Sequence, residues 1–246
     1  MQRRSRSKDN THETVWLAAE YHFPSIYSCC IPMSSMSHAV IMPAPGPATI
    51  RLALIRTGIE LLGQATVRDE LFPTIRSAPV KVRPPERVAI SSHHLRAHKW
   101  DAGSAGKGES IQESIIVREM AHAMGSMTVY IEVPLQEEAH FLPLLQAVGY
   151  WGQTHSFTCC IGIAHTAPEP GMCAVPLSSL GNSRPLRPFF SCLVSEFRNY
   201  QLRWNDIVPV FQTGGVQPLR LDIYVWPMIL HARQGGNTLL VRHSLL

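Results

Sequence analysis

Two segments with helical periodicity, each set between strand-like runs, constrain the fold of this chain more than any other feature. The first, PATIRLALIRTGIELLG, has Pro47 in its first turn and Gly63 at its end, as is typical of helix boundaries. Apolar residues of this segment recur on one stripe: Ile50, Leu54, Leu61 and Leu62. Because Arg51 and Glu60 lie off that stripe, we expect a core-packed helix that presents Arg51 or Arg56 at an edge.

The second helical segment, LQEEAHFLPLLQAVG, spans residues 135–149. Its predicted apolar stripe consists of Leu135, Ala139, Leu142 and Leu145. Pro143 falls inside this segment and removes a backbone donor, so we expect the helix to bend or to start late.

Strand-like runs flank both helices. They cover residues 14–23, 114–121, 127–133 and 156–165. Two further short strands are expected between residues 78 and 99, on either side of the sequence RPPE. Pro84 and Pro85 cannot lie inside a central strand, so they mark a turn or a sheet edge.

This order of elements predicts an α+β fold with a ferredoxin-like (RRM-like) β-α-β-β-α-β core at residues 14–165. In that arrangement a four-stranded sheet carries two helices on one face, and an insertion at about residues 76–113 protrudes as a basic hairpin. Residues 1–13 are expected to be a flexible basic terminus. Residues 166–246 predict a β-rich extension, either extra strands on the same sheet or a separate domain.

Positive charge is concentrated in the insertion. The chain has a formal net charge of +4, which alone is weak evidence for a nucleic-acid partner. Between Arg76 and Lys107 there are seven Lys or Arg against two acids, Glu86 and Asp101, so this window carries +5. The pattern fits a surface that holds a polyanion, or a solvated hairpin whose charge has no partner.

Several function classes find no support in the sequence. There is no phosphate-binding P-loop, no G-x-G-x-x-G and no G-x-S-x-G motif. The cysteines include two adjacent pairs but no C-x-x-C, so we predict buried thiols and a reducing, cytoplasmic location, with no metal and no cofactor. No run of about 18 apolar residues predicts a transmembrane helix.

Three stretches resemble subunits of the RAMP superfamily from CRISPR Cascade-type effector complexes. They are the entry to the first helix, PAPGPATIRLALI, the basic insertion before IIVREMAHAMGSMTVYIEV, and LPLLQAVGYWGQTHSFTCC. Within that superfamily the chain is most similar to the subunit that caps the 5′ handle of the guide RNA. The resemblance covers about residues 14–165 and does not extend to the tail.

The resemblance implies a ferredoxin-like core whose protruding thumb binds RNA backbone. It implies that the chain is a non-catalytic RNA-binding subunit that holds the 5′ handle of the guide RNA. The implied partners are the guide RNA (crRNA), the backbone and large subunits of the complex, and target DNA indirectly, through base pairing with the guide. No membrane partner is implied.

The candidate RNA-binding residues lie in two stretches. Cationic and ring-bearing side chains suited to phosphate contact and base stacking are Lys81, Arg83, Arg87, His93, His94, Arg96, His98, Lys99 and Trp100. The second stretch, GYWGQTHSF, adds Gln153 and His155, although an ordinary helix-to-strand connection explains it equally well.

One enzymatic alternative stays open, a metal-independent endoribonuclease that processes CRISPR repeat RNA. Imidazoles titrate near neutral pH, so His93, His94 or His98 could act as general acid or base. Such chemistry in related proteins also uses a tyrosine and a lysine. Tyr21, Tyr27 and Lys99 are present, but spacing alone does not bring them together.

Overall fold

The computed structural model describes residues 13–34, 38–100, 111–181, 187–197, 202–207 and 219–246. Residues 1–12 of the flexible terminus predicted at residues 1–13, and residues 101–110 of the basic insertion, lie outside these ranges. Within them no helix is long and apolar enough to cross a membrane.

The chain combines many strands with few helices, so the predicted α+β class is confirmed. The strands are β1 Thr14–His22, β2 His38–Ala39, β3 Val80–Arg83, β4 Arg87–Trp100, β5 Ile111–Met124, β6 Met127–Pro134, β7 Cys159–His165, β8 Val175–Pro176, β9 Phe189–Phe197, β10 Leu219–Gln234 and β11 Asn237–Arg242. The α-helices are α1 Pro47–Leu62, α2 Gln64–Thr66, α3 Phe72–Ser77 and α4 Glu138–Ala147.

Four strands form the first sheet, in the order β3-β6-β1-β7, and every neighbouring pair is antiparallel. Alternation along β1 and β6 separates two faces. One face is apolar and buried against the helices, with Leu17, Ala19, Val129 and Ile131 fully covered. The other face carries polar and aromatic side chains, among them Lys81 and Tyr130.

Helix α1 begins at Pro47, directly after Gly46, and ends before Gly63, whose φ of +84° favours glycine. Its buried side includes Ile50 and Leu54 of the predicted stripe, whereas Leu61 and Leu62 are exposed. Arg51 is buried at 6% exposure, so of the two arginines expected at an edge it is Arg56 that is partly exposed. Arg51 is held by the carbonyls of Ile75 and Ala78, at 3.0 and 2.7 Å, which compensates its burial.

Helix α4 starts late, as Pro143 suggested, after a single 3₁₀ turn at Leu135–Glu137. Its buried side consists of Phe141, Leu144 and Leu145, so Leu145 of the predicted stripe is buried as expected. Leu135 is 44% exposed and precedes the helix, in the 3₁₀ turn.

The second sheet has the order β2-β5-β4-β11-β10-β8, and β9 also pairs with β10. Strands β4 and β5 come from the basic insertion, and β8 to β11 come from the tail. The tail therefore extends the hairpin sheet. The insertion spans Arg87–Met124, while Arg76 belongs to α3 and Lys81 to β3.

Candidate nucleic-acid interface

A long antiparallel hairpin, β4–β5, forms the candidate interface. The two strands pair continuously from Arg87 opposite Met124 to Trp100 opposite Ile111. At its base Val88 and Ala121 are fully buried, and β11 pairs alongside β4 from Arg87 to Ser91. The hairpin is thus fixed at its base by apolar packing and by a third strand.

The register of the hairpin divides the predicted basic residues between its two faces, because directly opposite residues share a face and successive residues alternate. The first face carries Arg87 and His93, with His93 opposite Arg118. The second face, on the side of buried Val88 and Ile90, carries the exposed side chains of His94, Arg96 and His98. The sequence predicted one basic surface, and the hairpin presents two.

The described side chains of the hairpin combine polar groups with exposed apolar ones. His93 and Ser91 form a 2.8 Å hydrogen bond between Nε2 and Oγ. Across the second face, Arg96 lies opposite Ile115, which is 71% exposed, and His98 lies opposite Glu113. A cation beside an exposed apolar side chain suits contact with both the phosphate and the base of a nucleotide.

Lys99 and Trp100 end strand β4, in register with Gln112 and Ile111. Their backbone belongs to the hairpin, and their side chains lie outside what the structure describes.

Lys81 and Arg83 lie on β3 of the first sheet and therefore not on the hairpin. Arg83 Nη2 donates to Thr128 Oγ1 at 2.9 Å, and Lys81 lies opposite Tyr130. The structure thus places these two candidates on the face of the first sheet opposite the helices.

Gln153 and His155 are exposed in the connection between α4 and β7. This connection is a tight loop, closed by Trp151 N donating to Ser156 O at 3.2 Å. Gly152 occupies a left-handed conformation at φ +69°. The loop is separate from the hairpin in the chain, and each candidate there remains a prediction.

Beside this loop, Arg56 joins α1 to the connection. Its guanidinium carbon lies 3.3 Å from the ring centroid of Tyr150, and its Nη2 donates to the Tyr150 carbonyl at 3.2 Å. A cleft of about 290 Å³ opens here between Thr49 and Thr154. Arg56 also approaches Glu60 at 3.6 Å, so its charge is already used within the fold.

Three cationic side chains near the interface were missed by sequence reasoning: Arg118, His122 and Arg242. Arg118 and His122 alternate with apolar residues on β5, and strand alternation opposite His93 is the signal that could have found them. Arg242 lies 158 residues from Pro84, whose carbonyl accepts from its Nη1 at 2.6 Å. No local sequence pattern predicts a contact between residues so far apart in the chain.

The two tyrosines of the enzymatic alternative are not available at the surface. Tyr21 donates its hydroxyl to the Leu145 carbonyl and Tyr27 to the Pro43 carbonyl, each at 2.6 Å. Both side chains are fully buried, and burial raises the pKa of each phenol well above its usual range. Neither tyrosine reaches the exposed histidines of the hairpin.

An apolar cavity of about 460 Å³ lies where the hairpin meets the tail strands. Ile90, Phe189 and Leu240 form its apolar wall, while Glu119 and Arg233 contribute charge. The Glu119 carboxylate accepts the backbone N–H of Ile41 at 3.0 Å, so it anchors the segment beside β2.

One curated relative shows what the chain is similar to. Over 116 residues, the chain is 36% identical to the CRISPR-associated protein Cas5 of Archaeoglobus fulgidus. The chain is therefore similar in sequence to a CRISPR-associated protein. The predicted resemblance to a RAMP-type CRISPR subunit is confirmed. The match covers 47% of this chain, and the chain spans about half (50%) of the length of the curated relative.

Two solved structures align with this chain at low sequence identity. A crystal structure of a CRISPR protein from Archaeoglobus fulgidus covers 94% of this chain and 92% of its own, with TM-score 0.49 and 10% identity. A chain of a CRISPR RNA-guided surveillance complex covers 75% and 77%, with TM-score 0.33 and 12% identity. No profile of a known protein family matches the chain.

Proposed function

We propose that this chain is a non-catalytic RNA-binding subunit of a Cascade-type CRISPR effector complex that holds the 5′ handle of the guide RNA. The observation that carries the proposal is the β4–β5 hairpin, with exposed His94, Arg96 and His98 on one face and exposed Arg87 and His93 on the other. The 36% identity to a protein named for CRISPR association supports the biological setting.

A ferredoxin-like core is part of this proposal. Its support is the first sheet, which has the strand order β3-β6-β1-β7 with antiparallel neighbours. Helices separate β1 from β3, and β6 from β7, along the chain. The hairpin leaves this core between its second strand, β3, and its third, β6. A rigid sheet at the base gives the hairpin a fixed direction, which favours binding because little chain entropy is lost.

Phosphate neutralisation supplies most of the expected RNA affinity. A cation at each of several positions along an extended hairpin follows a polyanionic backbone without reading its sequence. The exposed imidazoles and Ile115 offer flat or apolar surfaces to splayed bases, so single-stranded RNA is the expected form.

The proposed partners are the guide RNA and the backbone and large subunits of the effector complex, with target DNA engaged indirectly through the guide. Exposed apolar side chains on the tail sheet, Ile223 and Leu230 among them, give neighbouring subunits a surface to cover.

The proposal is tested by RNA binding across a range of salt concentrations, using a guide RNA with its repeat-derived 5′ handle. Replacing Arg87, Arg96 and Lys99 together by alanine should weaken binding and flatten the salt slope by about 0.7 for each lost phosphate contact. An Arg220→Ala variant serves as control, since Arg220 is also exposed but pairs with Asp222 at 2.8 Å.

Unchanged affinity and slope in the triple variant would remove the hairpin from the proposed RNA interface. An equal loss in the Arg220→Ala control would mean that net charge, rather than the hairpin, sets the affinity.

A further inference from the structure

The face of the first sheet opposite the helices carries cations that do not belong to the hairpin. Lys81 and Arg83 alternate along β3 with buried Val80 and Val82, so they lie on the face opposite the helices. Directly across from them on β6 are Tyr130 and Thr128, both nearly fully buried.

A third cation reaches the same place from the end of the second sheet. The backbone N–H of Arg242 donates to the Glu86 carbonyl at 2.8 Å, and its Nη1 donates to the Pro84 carbonyl at 2.6 Å. These contacts fix the guanidinium beside the turn that leaves β3. Its side chain is only 14% exposed.

Strand alternation puts Lys81 and Arg83 on one face of β3, and Arg242 is bonded to Pro84 at the end of that strand. Electrostatic effects on two groups agree with this placement. Burial raises the pKa of the Cys173 thiol to about 11, and Lys81, Arg83 and Arg242 each act on it in the opposite direction. Desolvation and then the charge of Arg83 hold the pKa of Arg242 below its usual range. The arginines therefore repel one another in a half-buried setting.

Acidic groups nearby neutralise this charge only in part. Glu86 is 4.0 Å from Arg242 Nη2, and its side chain is 71% exposed. Glu169 acts on Arg242 and Tyr130 but is itself exposed, and Glu20 on the same sheet face accepts a hydrogen bond from Ser126. Among the described residues, Lys81 and Arg83 form no ion pair, and Arg83 Nε is a buried donor without an acceptor.

A short segment of the tail is hydrogen-bonded to β3 beside the cations. Ala174 N donates to the Val82 carbonyl and Leu245 N donates to the Gly171 carbonyl, both at 2.9 Å. Cys173 packs against Tyr130 between these bonds. Elements distant in the sequence thus converge on one cationic spot.

We propose that Lys81, Arg83 and Arg242 form a binding site for a phosphate-type oxyanion, separate from the hairpin. Converging guanidinium and ammonium groups match such an anion in charge and in donor geometry. A bound oxyanion accepts hydrogen bonds from the partly exposed Lys81 and Arg83 side chains and offsets the repulsion between the arginines. The site does not depend on the proposed role of the hairpin in RNA binding.

The site is tested with inorganic phosphate on the full chain, by calorimetric titration and by thermal unfolding against chloride of equal ionic strength. We expect saturable binding and a rise in the unfolding temperature that follows the same saturation curve. Arg83→Met and Lys81→Met should each weaken phosphate binding about tenfold, the loss of one charge-assisted hydrogen bond.

Lys81→Met keeps the test valid if Arg83→Met fails to fold, because Lys81 is half-exposed and its stem can be replaced by an apolar chain. Arg68→Met is the matched control: Arg68 is exposed and pairs with its neighbour Asp69 at 2.7 Å. Phosphate that binds no better than chloride, or that loses equal affinity in Arg68→Met, overturns the proposal.

The source of the phosphate is decided by adding single-stranded RNA. If the site holds a backbone phosphate, Arg83→Met and Lys81→Met lower RNA affinity and flatten the salt slope, even when the hairpin is already substituted at Arg87 and Arg96. If it holds a free phosphate or a nucleotide, RNA affinity stays unchanged while phosphate binding falls. Either result supports an oxyanion site.

Discussion

Arg51 Nη1 donates to Glu196 Oε1 at 3.0 Å, which joins helix α1 to strand β9 of the tail. Both side chains are largely buried, at 7% and 16% exposure. Arg51 also lies 5.7 Å from the ring centroid of Phe197. The tail is therefore tied to the core by a buried charge pair as well as by apolar packing.

Removing Arg51 should destabilise the whole chain. Arg51→Met removes the cation that pairs with the Glu196 carboxylate, which then keeps the Phe197 N–H at 2.8 Å, and it leaves the carbonyls of Ile75 and Ala78 without this side-chain donor. We expect a loss of about 3–5 kcal/mol in the free energy of unfolding, because an unpaired buried charge is costly. Chemical denaturation followed by circular dichroism measures it.

The matched control is Arg56→Met on the same helix, five residues further along the chain and in contact with Tyr150 instead of the tail. Its partner Glu60 is 61% exposed, so the expected loss is smaller, about 1–2 kcal/mol. Equal losses for the two variants would contradict a special role for the pair of Arg51 with Glu196.

Gly152 and Gly162 should respond in opposite ways to alanine. Gly152 has φ +69°, and an added Cβ would lie 3.4 Å from Thr49 Cγ2, so Gly152→Ala should cost about 1–2 kcal/mol. Gly162 lies in β7 with open space at its Cβ position, so Gly162→Ala should be neutral or stabilising by up to about 1 kcal/mol. Thermal unfolding of the two variants side by side checks the difference, and a similar loss in both would count against it.

The two faces of the hairpin should contribute differently to RNA binding. Arg96 is exposed opposite Ile115 on the second face, while Arg118 is half-buried opposite His93 on the first. We expect Arg96→Ala to flatten the salt slope by about 0.7, the value for one phosphate contact of a single strand. Arg118→Ala removes the same charge and should change the slope less. A larger effect at Arg118 would assign the RNA to the first face.

Thiol labelling should follow burial. Cys159 is exposed and should react first, whereas burial raises the pKa of Cys173 to about 11 and that of Cys192 to about 12. Because the thiolate is the nucleophile, these two should stay protected until the pH approaches 11 or the chain unfolds. Mass spectrometry after timed iodoacetamide labelling at pH 8 gives the order, and early labelling of Cys173 would show that the tail segment opens.

The same raised thiol pKa values predict a loss of stability in alkali. The folded state keeps these thiols protonated, while the unfolded chain releases their protons from about pH 8.5 upward. Unfolded chains therefore bind fewer protons, and the free energy of unfolding should fall as the pH rises from about 8.5 towards 11. Cys192→Ala should flatten this decline, and an unchanged slope would contradict the assignment to that thiol.

Local signals in the sequence predicted the elements well where periodicity and turn residues agree. Pro47 and Gly63 bound α1 as expected, and Pro84 and Pro85 lie in the turn between β3 and β4. Burial was predicted less well, because the stripe chosen for α1 placed Arg51 outside the core. Its burial depends on Glu196, 145 residues away, which no periodicity reveals.

The candidate site shows the same division. The concentration of cations between Arg76 and Lys107 is visible in the sequence, but their arrangement depends on strand register. A shift of one residue exchanges the two faces of a strand, so only the pairing of Arg87 with Met124 settles which cations share a surface. Lys81 and Arg83 do not belong to the hairpin, because they lie on β3, which pairs with β6.

The sequence by itself determined the α+β class, the boundaries of α1, the basic insertion and the resemblance to a CRISPR subunit, because these depend on neighbours in the chain. The tertiary structure decided that the tail completes the hairpin sheet, that Arg51 is internal, and that Arg242 bonds to Pro84 at the end of the strand that carries Lys81 and Arg83. These features join residues far apart in sequence, and their energies come from burial and charge pairing that exist only once the chain has folded.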